Sequence, residues 1–163
     1  LMTAGYGICF TGGPGDVGYL LKITEALPPQ TTFIAAGHAS FGQTSRIIMG
    51  AVAYIGVDTA TSHIAAATGI PCVCLYGPTP VDTWGPAPKC GQSIPYSNDL
   101  DIQTVGNVTI VRRDNTDIPC SGCTRHLCAH NNPPQLSRCM QSISVEKVWK
   151  ALCCHTPIGS TLL

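Results

Sequence analysis

The stretch that decides the fold is YIGVDTATSHIAAATGIPCVCLY, residues 54–76. It reads as a short apolar strand (54–57), a helix beginning near Thr59 with a small, alanine-rich body, a stop at Gly69, and a second apolar strand (71–76). Two strands joined through a helix run parallel, because the crossover brings the chain back to the same end of the sheet. Upstream the same order occurs twice. Residues 6–10 (YGICF) predict a strand, TGGPGD a glycine-rich turn, and 16–27 a helix. Residues 31–36 (TTFIAA) predict a second strand, GHASF a loop, and 43–53 a second helix. Three such units in succession imply an α/β fold, a Rossmann-like doubly wound parallel sheet.

Beyond Tyr76 the texture changes. Residues 77–99 are rich in Gly and Pro and predict irregular loop. Residues 108–113 (VTIVRR) predict one more strand, followed by a cysteine-rich loop over 120–139. A closing helix over 144–155 has Ser144 as its N-cap and Lys147 and Lys150 on its wet face. The whole of 1–163 is expected to form one domain, a length able to bury roughly two-thirds of the unfolded chain's surface.

Composition narrows the partners. Nine Lys and Arg balance nine Asp and Glu, and no basic cluster stands out, so neither nucleic acid nor an anionic membrane surface is an expected partner. Charged residues make up 11% of the chain, against about 25% in an ordinary soluble domain. Part of the surface is therefore expected to be covered in a larger protein or assembly. The start has no basic, then apolar, signal-peptide pattern, and the most apolar segment, 64–76, falls far short of the roughly 18 residues of a membrane span. Ten cysteines, mostly scattered through strand-like and helix-like runs, fit buried thiols in a reducing cytoplasm better than a secreted disulfide scaffold.

In an open parallel sheet, ligands bind beyond the carboxyl ends of the strands, where helix N-termini present unpaired N–H groups. Asp58 stands at such a strand end. The N–H groups of Thr59, Ala60 and Thr61 would form an anion site, with His63 on the first turn donating to a phosphate oxygen and Asp58 accepting hydroxyl hydrogens of a sugar. An equally economical reading makes Asp58 a plain N-cap bonded to the Thr61 N–H and His63 an ordinary half-buried histidine. The glycines of TGGPGD also have a purely conformational explanation, since tight turns need them, and no Lys follows to make a phosphate loop. Trp84 reads as a loop anchor.

The segment GVDTATSHIAAATGIPCVCLYGPTPVDTWGP resembles the donor-binding segment of the family 9 glycosyltransferases, the lipopolysaccharide heptosyltransferase group: Asp-Ser/Thr-Gly-x-x-His, a small-residue helix, a strand ending in Gly-Pro-Thr, then Trp-Gly-Pro. FTGGPGD resembles the family's earlier Gly-Gly-Pro-x-Glu turn. The resemblance runs from Tyr6 to about Leu152. It implies the C-terminal half of a GT-B fold, a nucleotide-sugar domain whose N-terminal acceptor domain, carrying the general base, is absent from this chain. No catalytic residue is therefore expected here. By position, Asp58 would meet donor sugar hydroxyls, Thr59, Ala60, Thr61 and His63 the diphosphate, Asp16 the ribose region, and the loop around Ala39 the adenine, with Gly12 and Gly13 of the same glycine-rich turn also counted as donor-binding. Ala60 stands where the family has glycine, and Asp16 where it has the longer Glu.

The resemblance implies transfer of a heptose from ADP-heptose, with inversion, to a lipopolysaccharide-core or protein acceptor, in the bacterial cytoplasm and peripherally at the inner membrane. A UDP-sugar-using GT-B enzyme and a metal-stapled assembly module with a vestigial sugar-nucleotide fold are the rivals. Cys120, Cys123, Cys128 and Cys139 form C-x2-C-x4-C-x10-C, a set able to hold structural zinc or iron, with His126 and His130 as alternative ligands and free thiols or disulfides as the other outcomes.

Overall fold

The computed structural model describes residues 1–89, 91, 96–113 and 137–158. The chain divides into two compact units, Leu1–Gly50 and a second from Ala51 onward.

In the first unit, β1 (Ile8–Phe10) pairs in parallel with β2 (Thr32–Ile34). Between them run a 3₁₀ turn, Pro14–Asp16, then α1 (Val17–Thr24), then a second 3₁₀ turn, Pro29–Thr31. Past the ends of the two strands the ladder continues, with the Ala35 N–H and Ala36 N–H donating to the Phe10 carbonyl and the Gly37 N–H to that of Gly12. Helix α2 (Phe41–Met49) follows. It starts two residues before the expected Gln43 because Ser40 and Gln43 form a capping box: the Ser40 hydroxyl accepts from the Gln43 N–H, and the Gln43 side chain accepts from the Ser40 N–H at 2.8 Å.

The second unit holds a four-stranded sheet in the order β3 (Tyr54–Val57), β4 (Cys72–Tyr76), β6 (Val108–Arg112), β5 (Ile102–Val105). The first three strands are parallel and β5 is antiparallel to β6. The α/β class and the parallel pairing are as expected, but the ladders form two sheets, one in each unit. Every residue of β6 and four of the five in β4 are buried, which is why both read as continuous apolar runs. Helix α3 (Ala60–Thr68) packs on β3 and β4. Its alanines explain how: Ala65 and Ala66 are fully buried, and side chains that short let the helix lie close to the strands. Gly69 stops it at φ +86°.

Between β4 and β6 two elements were not foreseen. Strand β5 joins β6 through Gly106 and Asn107, and the one-turn helix α4 (Val81–Trp84) interrupts the expected loop. After α5 (Arg138–Gln141), α6 (Val145–His155) packs on β6 and β4. Its Ser144 cap is as expected, accepting from the Lys147 N–H at 3.1 Å. Lys147 is not on the wet face: its side chain is only 12% exposed, and its Nζ lies 3.8 Å from Asp101 Oδ2. Lys150 is exposed. Among the described residues no helix is long and apolar enough to cross a membrane.

Candidate functional site

The nine candidate residues divide between the units. In the first, Gly12, Gly13 and Asp16 share the turn that follows β1. The Asp16 carboxylate folds back to accept from the Gly13 N–H at 2.8 Å. A Cβ on Gly12 would stand 2.7 Å from the same oxygen, so a side chain at position 12 would displace the Asp16 carboxylate from this bond. The loop carrying Ala39 is fastened to this turn at Gly37. There φ is +73°, the N–H donates to Gly12 at 3.2 Å, and a Cβ would meet Val17 Cγ2 at 2.7 Å. Gly12, Gly13 and Asp16 are exposed and Ala39 is half-buried. One of the two Asp16 oxygens is thus occupied by its own turn.

In the second unit, Asp58 follows the last residue of β3, and α3 opens immediately after it. The N-cap is Thr59, in extended backbone, and no side chain caps the helix. The plain-cap reading of Asp58 is therefore not what the chain adopts. Thr59, Ala60 and His63 are exposed, and Thr61 is half-buried. His63 is thus a surface residue on the helix's opening turns, not half-buried.

Behind this turn is a hydroxyl cluster with no counterpart in the sequence reading. Tyr54 Oη lies 2.7 Å from Thr61 Oγ1, which lies 2.9 Å from Thr59 Oγ1. Ser62, fully buried, donates to the Val57 carbonyl at 2.5 Å and also lies 3.3 Å from Tyr54 Oη. Gly56 makes the arrangement possible, because a Cβ there would fall 2.1 Å from Tyr54 Oη and 2.5 Å from its Cζ. Tyr54 and Gly56 face the same side of the strand, and the phenol lies along β3 over the missing side chain.

At the end of β4, fully buried Tyr76 donates to the Trp84 carbonyl at 2.9 Å. Burial and then the nearby Asp58 carboxylate push its pKa up. Tyr76 pairs in register with Arg112 at the end of β6. Arg112 and Arg113 are 2% and 4% exposed. The Arg112 guanidinium donates to the Asn98 carbonyl, and burial and then the Arg113 charge lower its pKa, opposed by Cys139, Asp101 and Asp82. The signal in the sequence is a pair of charges closing an apolar strand.

The Trp-Gly-Pro segment is an anchor through its backbone: Tyr76 bonds the Trp84 carbonyl and Tyr96 the Pro86 carbonyl at 2.9 Å. The Trp84 indole itself is 56% exposed. Of the candidate metal ligands, Cys120, Cys123 and Cys128 lie outside the described residues, as do His126 and His130. Cys139 is buried in α5, its Sγ 3.4 Å from where a Gly77 Cβ would stand. Among the described residues no group of three or more His, Cys, Asp or Glu could hold a metal ion.

Residues 1–105 match the model of glycosyltransferase family 9 (heptosyltransferase). Over 88 residues the chain is 33% identical to lipopolysaccharide heptosyltransferase 3 of Escherichia coli, covering 53% of this chain and 26% of that protein. Over 82 residues it is 32% identical to lipooligosaccharide heptosyltransferase 2 of Haemophilus influenzae, covering 48% and 24%. The matched segment thus spans about a quarter of these relatives' length. The crystal structure of the glycosyl transferase family 9 from Veillonella parvula is similar in fold, with a TM-score of 0.62 at 18% identity, covering 97% of this chain and 37% of that one.

Proposed function

Because this chain belongs to glycosyltransferase family 9, we propose that it binds the nucleotide-diphosphate sugar of an inverting glycosyl transfer. The donor is an ADP-linked heptose and the acceptor a lipopolysaccharide core, with a protein acceptor as the alternative. The observation that carries the reading is the start of α3: an uncapped helix N-terminus, preceded by Asp58, with exposed Thr59, Ala60 and His63. N–H groups and the helix dipole at such an end favour a diphosphate. As the glycosidic bond breaks, the same groups offset the charge building on the leaving nucleotide. Asp58 accepts hydrogens from donor sugar hydroxyls. Asp16 serves the ribose region through the oxygen its own turn leaves over, the loop around Ala39 serves the adenine, and Gly12 and Gly13 belong to the same donor-binding turn.

The general base belongs to an acceptor domain, and residues 1–163 alone bind donor without turnover. Cys120, Cys123, Cys128 and Cys139 hold a structural zinc or iron, a reading supported by their C-x2-C-x4-C-x10-C spacing. Elemental analysis of chelator-free, reduced protein tests the metal, and absence of both metals rejects it. Calorimetric titration with ADP, UDP and GDP tests the donor reading. Preference for ADP supports it, and no affinity for any nucleoside diphosphate rejects it.

A further inference from the structure

We propose that Tyr54 is a positioning residue for the diphosphate, acting through a chain of hydroxyls that ends on exposed Thr59. The inference rests on the donor-site reading above and adds to it a residue half-buried behind the helix start.

The argument is one of proton accounting. Ser62 has a single hydroxyl hydrogen, and its 2.5 Å contact with the Val57 carbonyl claims it ahead of the 3.3 Å contact with Tyr54. The Tyr54 hydrogen then goes to Thr61 Oγ1 at 2.7 Å. Thr61, having accepted, donates to Thr59 Oγ1 at 2.9 Å. Thr59 is left with a hydrogen whose one other acceptor in the cluster, the Val57 carbonyl, lies at 3.4 Å, near the limit of a hydrogen bond. That hydrogen is available to a phosphate oxygen arriving at the exposed helix end. Each link polarises the next, so a phenol at the head of the chain makes Thr59 a better and better-aimed donor. A Phe at position 54 would leave Thr61 free to turn its hydrogen elsewhere and Thr59 free to accept.

Tyr54 reaches this place only by lying over Gly56, so the two residues act together. Thr59 makes no side-chain cap to its own helix, so replacing its hydroxyl removes no capping bond.

The test is ADP titration into the wild-type chain, Tyr54→Phe, Thr61→Val, Thr59→Val and the double variant Tyr54→Phe/Thr59→Val, with thermal melts of each. Tyr54→Phe and Thr61→Val should each weaken ADP about five- to tenfold, and inorganic pyrophosphate by the same factor. The double variant should bind no more weakly than Thr59→Val alone, because Tyr54 acts through Thr59. A Tyr54→Phe protein that melts lower but binds ADP as the wild type does would make Tyr54 merely structural and overturn the proposal, as would additive losses in the double variant. A wild-type chain that does not bind ADP would instead overturn the donor reading itself, and this inference with it.

Discussion

The hydroxyl of Tyr76, the last residue of β4, donates to the carbonyl of Trp84 across 2.9 Å. One bond thus ties the end of a central strand to the last residue of α4, eight residues later in the chain. A phenol in that position has two reasons to keep its proton: it is buried, and the Asp58 carboxylate is nearby.

Unfolding releases Tyr76 from both. In the unfolded chain its pKa is 10.0, and in the folded one it is higher. The stability held by the protonated phenol is therefore complete below about pH 9. It is lost as pH rises past 10, where the unfolded tyrosine gives up a proton that the folded one keeps, by up to about 1.4 kcal/mol per pH unit. Tyr76→Phe should be less stable at neutral pH, having lost the bond to Trp84, and should lose less on going from pH 9 to pH 11. Chemical denaturation across that range measures both. Equal alkaline slopes for the two proteins would contradict the account.

How much of this was legible depends on which interactions are local. The α3 stop at Gly69 and the Ser144 cap are signals spanning four residues or fewer, and both were readable. The Ser40–Gln43 capping box was equally local, but an apolar-periodicity reading passed over it and placed the start of α2 late. Strand β5 was missed although Gly106-Asn107 is a hairpin signal, because Gln103 and Thr104 give an edge strand the polarity of a loop. The Tyr54 cluster could not be read at all. It depends on a rotamer that exists only because Gly56 two residues on has no side chain. Lys147 looked solvated by period alone, and only the fold brings Asp101 to it.

Gly56→Ala should displace the Tyr54 ring, since the new methyl would overlap its Oη, Cζ and Cε1, all within 2.6 Å. Overpacking of this kind costs about 1–3 kcal/mol. The cost should largely vanish in a Tyr54→Ala background, where the ring is gone. Urea denaturation of the two singles and the double gives the coupling. If Gly56→Ala is as costly without the phenol as with it, the glycine is needed for backbone reasons alone.

Asn107 holds three segments at once. Its side-chain N–H groups reach the Ala66 and Ile70 carbonyls at 3.0 and 2.9 Å, and its Oδ1 accepts from the Lys89 N–H at 3.0 Å. Asn107→Ala should cost about 1.5–4.5 kcal/mol, as three bonds each worth about 0.5–1.5 kcal/mol are lost. Asn107→Asp should cost at least as much, because it keeps the acceptor but sets a carboxylate against two carbonyls. Denaturant midpoints decide it, and an Asp variant more stable than the Ala one would refute the assignment.

Asp58 and His63 separate by the part of the donor each would touch. If Asp58 accepts from sugar hydroxyls, Asp58→Ala should weaken an ADP-sugar while leaving ADP almost unchanged, since ADP carries no donor sugar. Relief of repulsion against the diphosphate could even tighten ADP slightly, which would widen the difference. His63, exposed beyond the first turn of α3, would donate to a phosphate oxygen present in both ligands. His63→Ala should therefore weaken ADP and ADP-sugar alike, by about 1.5–3 kcal/mol for a bond to a charged group. Its surface position means that a loss of affinity without a loss of melting temperature is expected. The pattern across two ligands carries the test: equal losses for both ligands in Asp58→Ala would remove the sugar contact, and an ADP affinity untouched by His63→Ala would remove the phosphate contact.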